Sequence, residues 1–290
     1  MQACLVVLYF MICIFCTQDS AHSKSVEHII PESLGNTKNV LPRGIVCDKC
    51  NEYFGRKIEK EVLALSFFSQ LRARNAIPSK KNRIPAEKLL VYHPEVKSDE
   101  HESLFNRGKN INILSTPWQI ATKMVSSRTS KIIVESLSFN NPPTNNTLVA
   151  RFLAKIAVEI LTQNVIESKW DLALIHSDVR VEPIRNFARY GTPGLKWEYY
   201  VRQLYNEDEK FFYSYDLNTP VDVLYNYGHF FINEEMYLSL IIKGFEFTIN
   251  MGMPEIGRYI QWVLINNGRS AIYTSNVILE KEHPIPLFTL

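Results

Sequence analysis

The chain has 290 residues, room for one large domain or for a small one followed by a larger. Its composition, 46% hydrophobic and 21% charged, is that of a globular protein and excludes a disordered, collagen-like or disulfide-dense chain. A series of apolar runs of about 20 residues is missing, which excludes a polytopic membrane protein, and the net charge of +2 decides nothing about a nucleic-acid partner.

The distribution of charge says more. Residues 1–90 hold 13 Lys/Arg against 8 Asp/Glu, and the remainder is slightly acidic. The chain opens on an apolar stretch, residues 3–15, with no Lys or Arg ahead of it, unlike a secretory signal. Cleavage near Ala21 would also remove Cys13 and Cys16. We therefore read residues 1–10 as a leader or an over-extended start ahead of Met11, expect a cytoplasmic protein, and give Cys4 no role.

All five cysteines precede residue 51, and four form two pairs, Cys13-x-x-Cys16 and Cys47-x-x-Cys50. Core packing would scatter buried cysteines along the chain. Two C-x-x-C turns instead supply the four thiolates of a tetrahedral structural Zn²⁺ site. The 30 residues between the pairs exceed a plain zinc knuckle, so something is inserted there. Residues 25–30 alternate like a strand, residues 31–38 are turn-rich around Gly35-Asn36, and residues 39–46 form a candidate second strand. Asn51 opens a helical stretch running past Arg56 and Lys57. The predicted order is strand, loop, strand, helix, pinned at both ends by cysteine turns.

These pieces, Cys13-x-x-Cys16, Glu27-His28-Ile-Ile-Pro31, Asn39 and Cys47-x-x-Cys50-Asn51, resemble the HNH nuclease family in its zinc-clamped ββα-metal form. The resemblance covers roughly residues 13–60. It implies phosphodiester hydrolysis, with DNA as the implied substrate and RNA not excluded. His28 has the pKa range of a general base that deprotonates a water. Glu27 and Asn51 offer hard oxygen donors to a catalytic Mg²⁺ or Mn²⁺. By resemblance Asn39 holds the loop and orients His28. Glu27 stands where Asp is commoner in the family and Asn51 where the last His is, which leaves the preferred metal open. Neighbouring strand residues face opposite ways, so Glu27 and His28 share a site only if the strand bends near Pro31.

Arg43, Arg56 and Lys57 flank this site, and Arg72, Arg74, Lys80, Lys81 and Arg83 follow without an intervening acid. They read either as contacts to a nucleic-acid backbone or as solvated charges. Residues 58–76 continue the helix, and residues 94–108 look like a linker. Residues 147–163 form the best helix, with Thr147 as its cap. From 195 to 275, alternating aromatic and β-branched runs at 197–204, 210–215, 229–232, 237–247 and 271–277 predict an antiparallel sheet. Their tyrosines and phenylalanines read first as core and second as a base-stacking platform.

The predicted fold class is α+β: a small zinc-bound ββα-metal module at 11–64, a helix and basic linker at 65–109, and a larger mixed α+β domain at 110–290. The predicted activity is a metal-dependent endonuclease, fitting restriction or antiphage defence, with a homodimer through the C-terminal domain as a candidate assembly. The alternative is a catalytically inactive zinc protein that binds nucleic acid.

Overall fold

The computed structural model describes residues 11–85, 87–92, 100–103, 131–133, 141–191, 194–207, 209, 211–213, 216–221, 224–272 and 277–279. It is a mixture of helices and antiparallel sheets, as the patterning predicts. Contacts divide the chain into two compact units that do not follow chain order. One comprises Met1–Ile29, Lys38–Lys60 and Pro142–Leu290, the other Ile30–Thr37 and Glu61–Asn141.

In the first unit, β1 (Glu27–His28) pairs antiparallel with β2 (Val40–Leu41) and is followed by α1 (Asp48–Tyr53). This is the expected strand, strand, helix order. The strands are shorter than predicted, because Pro31, Pro42 and Gly44 end the pairing within a few residues. The helix also starts earlier: Cys47 occupies the cap position, so Asn51 lies inside the first turn and is not the cap. After α1 the chain passes through a π-helical turn, Phe54–Glu59, into α2 (Lys60–Ala64), which apart from Lys60 belongs to the second unit. Such turns often accompany functional sites.

The long helix α4 (Thr147–Glu167) is four residues longer than predicted. Its cap is Asn146, whose side-chain oxygen accepts from the backbone N–H groups of Leu148 and Val149, and not Thr147. Helix α4 packs on the π-helical turn, on α6 (Glu182–Tyr190) and on the sheet. Two shorter helices complete this part, α5 (Ala173–Ser177) and α7 (Gly257–Ile265).

The main sheet has four antiparallel strands in the order β6 (Tyr199–Gln203), β11 (Phe245–Asn250), β10 (Glu235–Ile242), β9 (Tyr225–Ile232). The run predicted as one strand over 237–247 is two strands joined at Lys243-Gly244, both with positive φ. Gly244 at φ 86° has no alternative, since a Cβ there would lie 2.1 Å from the Tyr205 carbonyl oxygen. Asn233-Glu234 makes a second two-residue turn of the same hand between β9 and β10. Strands β10 and β11 are buried almost throughout, with α4 packed on β11 and α7 on β9. The rings of Phe230, Tyr237 and Tyr259 lie 5.7–5.8 Å apart in this core, so these aromatics pack the sheet. A further antiparallel sheet runs β12 (Val277–Leu279), β7 (Phe211–Tyr213), β8 (Asp216–Val221).

The second unit holds a 3₁₀ turn at Glu32–Leu34, α3 (Ser66–Arg74), and a three-stranded antiparallel sheet in the order β4 (Glu100–Ser103), β3 (Glu87–Tyr92), β5 (Lys131–Ile133). The helix predicted over 58–76 is interrupted at Leu65, which adopts an extended conformation before α3 begins. Strands at 87–92 and 100–103 stand where a linker was predicted. Most of 94–108 lies outside the described residues, as do residues 1–10.

Candidate metal centre and nuclease site

Two turns build the metal centre. In the first, Cys13 N–H donates to the Gln18 carbonyl at 2.9 Å and Thr17 N–H to the Cys13 carbonyl at 3.0 Å, with Thr17 at φ 56°. In the second, Cys50 and Asn51 N–H groups both donate to the Cys47 carbonyl at 3.0 Å as α1 starts. A bond from Ile14 N–H to the Ile45 carbonyl, 3.0 Å, ties the turns together. All four sulfurs lie within 4.8 Å of one another, and Cys16 Sγ and Cys47 Sγ are 3.6 Å apart. Tetrahedral Zn–S bonds of about 2.3 Å separate sulfurs by about 3.8 Å, so the cage has the size of a zinc site.

The thiol electrostatics call for a cation. A hydrogen bond from Cys50, helped by backbone N–H groups, pulls Cys13 down to about 4. Cys50 is held far up as the donor to Cys13 and by its own burial, and burial pushes Cys47 up to about 11. The Cys13 thiolate thus holds a proton on Cys50, and burial holds one on Cys47. A dication at the centre would let all four ionise together. Arg189 on α6 contributes from outside: its Nε donates to Cys50 Sγ at 3.1 Å, and its guanidinium lies 4.1 Å from the Tyr53 ring centroid. Arg151 on α4 completes this bracket, donating to the Tyr53 hydroxyl at 2.6 Å and to the Ala188 and Arg189 carbonyls.

Helix α1 grips the segment leading into β1. The Asp48 carboxylate accepts from the backbone N–H groups of Lys24 and Ser25 and from the Ser25 hydroxyl, which holds its pKa below the usual range. One turn on, Asn51 Nδ2 donates to the Val26 carbonyl at 2.9 Å. That bond sets Asn51 beside β1 and leaves its amide oxygen as the atom it can offer a hard cation. Glu27 is buried and His28 half-buried. Asn39 fixes the register through its carbonyl, which accepts from Ile29 N–H at 3.1 Å, while its side chain bonds Tyr225. The buried Asn36, which sequence marks only as a turn residue, is the side chain that braces the loop, donating to the Ile30 carbonyl at 2.6 Å.

Glu27 has an unforeseen partner. Lys155 of α4, fully buried, places Nζ 2.7 Å from Glu27 Oε1, 2.7 Å from Glu59 Oε1 and 3.1 Å from Glu159 Oε2. It also donates to the His28 carbonyl at 3.1 Å. Burial opposes the charge on Lys155, but the three carboxylates outweigh it and hold its pKa well above the usual lysine value. Glu159 is pushed well up by its own burial. A signal was present in the sequence: Lys155 and Glu159 are the charges inside the apolar run LAKIAVEIL, four residues apart on an all-round buried helix. Sequence gives no sign of the partner, over 120 residues away.

The basic residues sort by exposure. Arg43, Arg56, Lys57, Lys80 and Lys81 are exposed, with Arg56 paired to Glu52 and Lys80 to Glu32. Arg72 is buried in α3 and Arg74 half-buried. A buried guanidinium is not offered to a phosphate backbone, which corrects the expectation for Arg72.

Among the described residues, no helix is long and apolar enough to cross a membrane. No curated protein and no solved structure matches the chain. Residues 13–64, which carry the four cysteines, β1, β2 and α1, match the family model described as HNH endonuclease, and this segment belongs to that family.

Proposed function

We propose that the protein is a metal-dependent HNH endonuclease that hydrolyses phosphodiester bonds in DNA. The observation that supports this most is the placement of Asn51, held beside the Glu27–His28 strand by the Val26 carbonyl, directly after the cysteine cage. In this reading His28 removes a proton from the attacking water. Asn39 supports it by holding Ile29, the next residue, in register. Glu27 and Asn51 would hold Mg²⁺ or Mn²⁺, which would supply Lewis-acid charge neutralisation at the phosphate. The exposed Arg43, Arg56, Lys57, Lys80 and Lys81 would bind backbone phosphates without reading sequence. The products would be a 5′-phosphate and a 3′-hydroxyl. A cytoplasmic restriction or antiphage nuclease, dimeric through its C-terminal part, fits this chemistry.

One observation favours a second reading, a zinc protein that binds nucleic acid without cutting it. Glu27 already has an ammonium at one oxygen. A plasmid-nicking assay with Mg²⁺, Mn²⁺ or EDTA, run beside His28→Ala, separates the two. We expect metal-dependent nicking by the wild type, reduced about 10²- to 10⁴-fold in the variant. Nicking that survives in His28→Ala would refute the assignment of the base. Binding without nicking by either protein would establish the second reading.

A further inference from the structure

A lysine ammonium has three protons to give. On Lys155 the two shortest contacts go to Glu27 Oε1 and Glu59 Oε1, each 2.7 Å, and the third proton faces the carbonyl oxygen of His28 at 3.1 Å, with the Ile29 carbonyl as a longer acceptor at 3.5 Å. Glu159, although 3.1 Å away, takes none of the three, because neither of its oxygens is aligned to accept one. The three protons are thus committed to three different pieces: the side chain of one strand residue, the main chain of the next, and the end of the π-helical turn. Residues 27 and 28 are the carboxylate and the base of the proposed chemistry. An ammonium that fixes the rotation of one and the peptide plane of the other sets both in a common frame. The fixed point is α4, a helix outside the family segment, rigid through its burial on every face.

We propose that Lys155 is a positioning residue of the nuclease site, acting through the Glu27 carboxylate and the His28 carbonyl, so that helix α4 belongs to the catalytic apparatus. The inference rests on the nuclease reading for its effect on turnover, but its geometric content stands separately. Misplacing a catalytic group by about an ångström costs up to about 10²-fold in rate. The phosphate-binding side chains lie elsewhere, so affinity for DNA should be spared.

The test compares full-length wild type with Lys155→Met, which keeps the apolar stem, and Lys155→Arg, which keeps the charge. Cleavage is measured per zinc-loaded molecule at saturating Mn²⁺, and the ring signals of His28 are followed by ¹⁵N-imidazole NMR. We expect Lys155→Met to lower kcat about 10- to 100-fold with KM for DNA within about twofold, to shift the His28 ring signals, and Lys155→Arg to recover part of both. A wild-type kcat in zinc-loaded Lys155→Met would overturn the inference and leave the nuclease reading intact. If Lys155→Met does not fold, Lys155→Arg carries the test: its kcat and His28 signals must both depart from wild type, and wild-type values would overturn the inference. If the wild type cuts nothing, the nuclease reading fails alone, and unchanged His28 signals in the variants would then overturn the positioning role.

Discussion

At the scale of single residues, the metal centre depends on more than its four sulfurs. Arg189 donates to Cys50 Sγ and lies over the Tyr53 ring, so it would partly neutralise the Cys50 thiolate of a zinc-loaded cage and fixes the direction of one sulfur lone pair. Removing such an outer partner typically weakens a metal 10- to 100-fold. We expect Arg189→Ala to lose zinc to a chelator at a concentration lower by about that factor. Arg189→Lys should recover little, since a point charge cannot both stack and donate in a fixed plane. Equal zinc retention in wild type and Arg189→Ala, measured by chelator competition, would show that the Nε–Sγ contact carries no weight. The four cysteines were legible because each C-x-x-C pair places two sulfurs on one turn, and two such turns meet the demand of a tetrahedral ion. Arg189 was not, because an arginine 139 residues from its sulfur carries no local mark.

At the scale of elements, legibility followed how far each pattern reached along the chain. The ββα order was read from a run of short, ordered motifs, whereas β1 and β2 shrank to two residues each because proline and glycine stop the ladder. Helix α4 was read from sustained apolar periodicity. Helix α6 was missed even though Pro183 near its start and Ile184, Phe187 and Ala188 on one face are ordinary helix signals. The joint between α4 and β9 carries a testable charge dependence. His229 Nε2–H donates to the Ala157 carbonyl at 3.2 Å, and Nδ1 accepts from Asn164 Nδ2 at 3.2 Å, the pattern of a neutral ring. Burial depresses its pKa to about 4. A depressed histidine pKa contributes stability that is fully present above the unfolded value near 6.5. That stability is lost as pH falls from there through about 4. The difference of about 2.5 units corresponds to roughly 3 kcal/mol at most. In urea titrations, wild type should therefore lose more stability than His229→Gln between pH 6.5 and 4. Parallel stability curves for the two proteins would show that folding does not depress the His229 pKa.

At the scale of the whole molecule, most of the family segment shares one compact unit with residues 142–290. The cysteine cage, β1, β2 and α1 sit in the same compact unit as α4, α6 and the four-stranded sheet. Lys155 meets Glu27, Arg189 meets Cys50, and Arg151 meets Tyr53. Each of these contacts brings a cation from the C-terminal part to an acceptor in the N-terminal part. Breaking a buried pair by removing one partner costs about 3–5 kcal/mol, a large share of a small domain's stability. A domain that only selected a target would leave residues 11–64 able to fold and to cut without specificity. The observed contacts predict otherwise. A 54-residue fragment has little core of its own and must lean on its metal. We expect the isolated fragment 11–64 to fold only with zinc, to release it to a chelator at least tenfold more easily than the full chain, and to show no nicking. Adding residues 142–290 as a separate chain should restore part of the zinc retention, because that segment supplies Arg189, Arg151 and Lys155. A fragment that holds zinc as tightly as the full protein and nicks DNA at a comparable rate would show instead that the nuclease fold is autonomous and that the three cations only dock it.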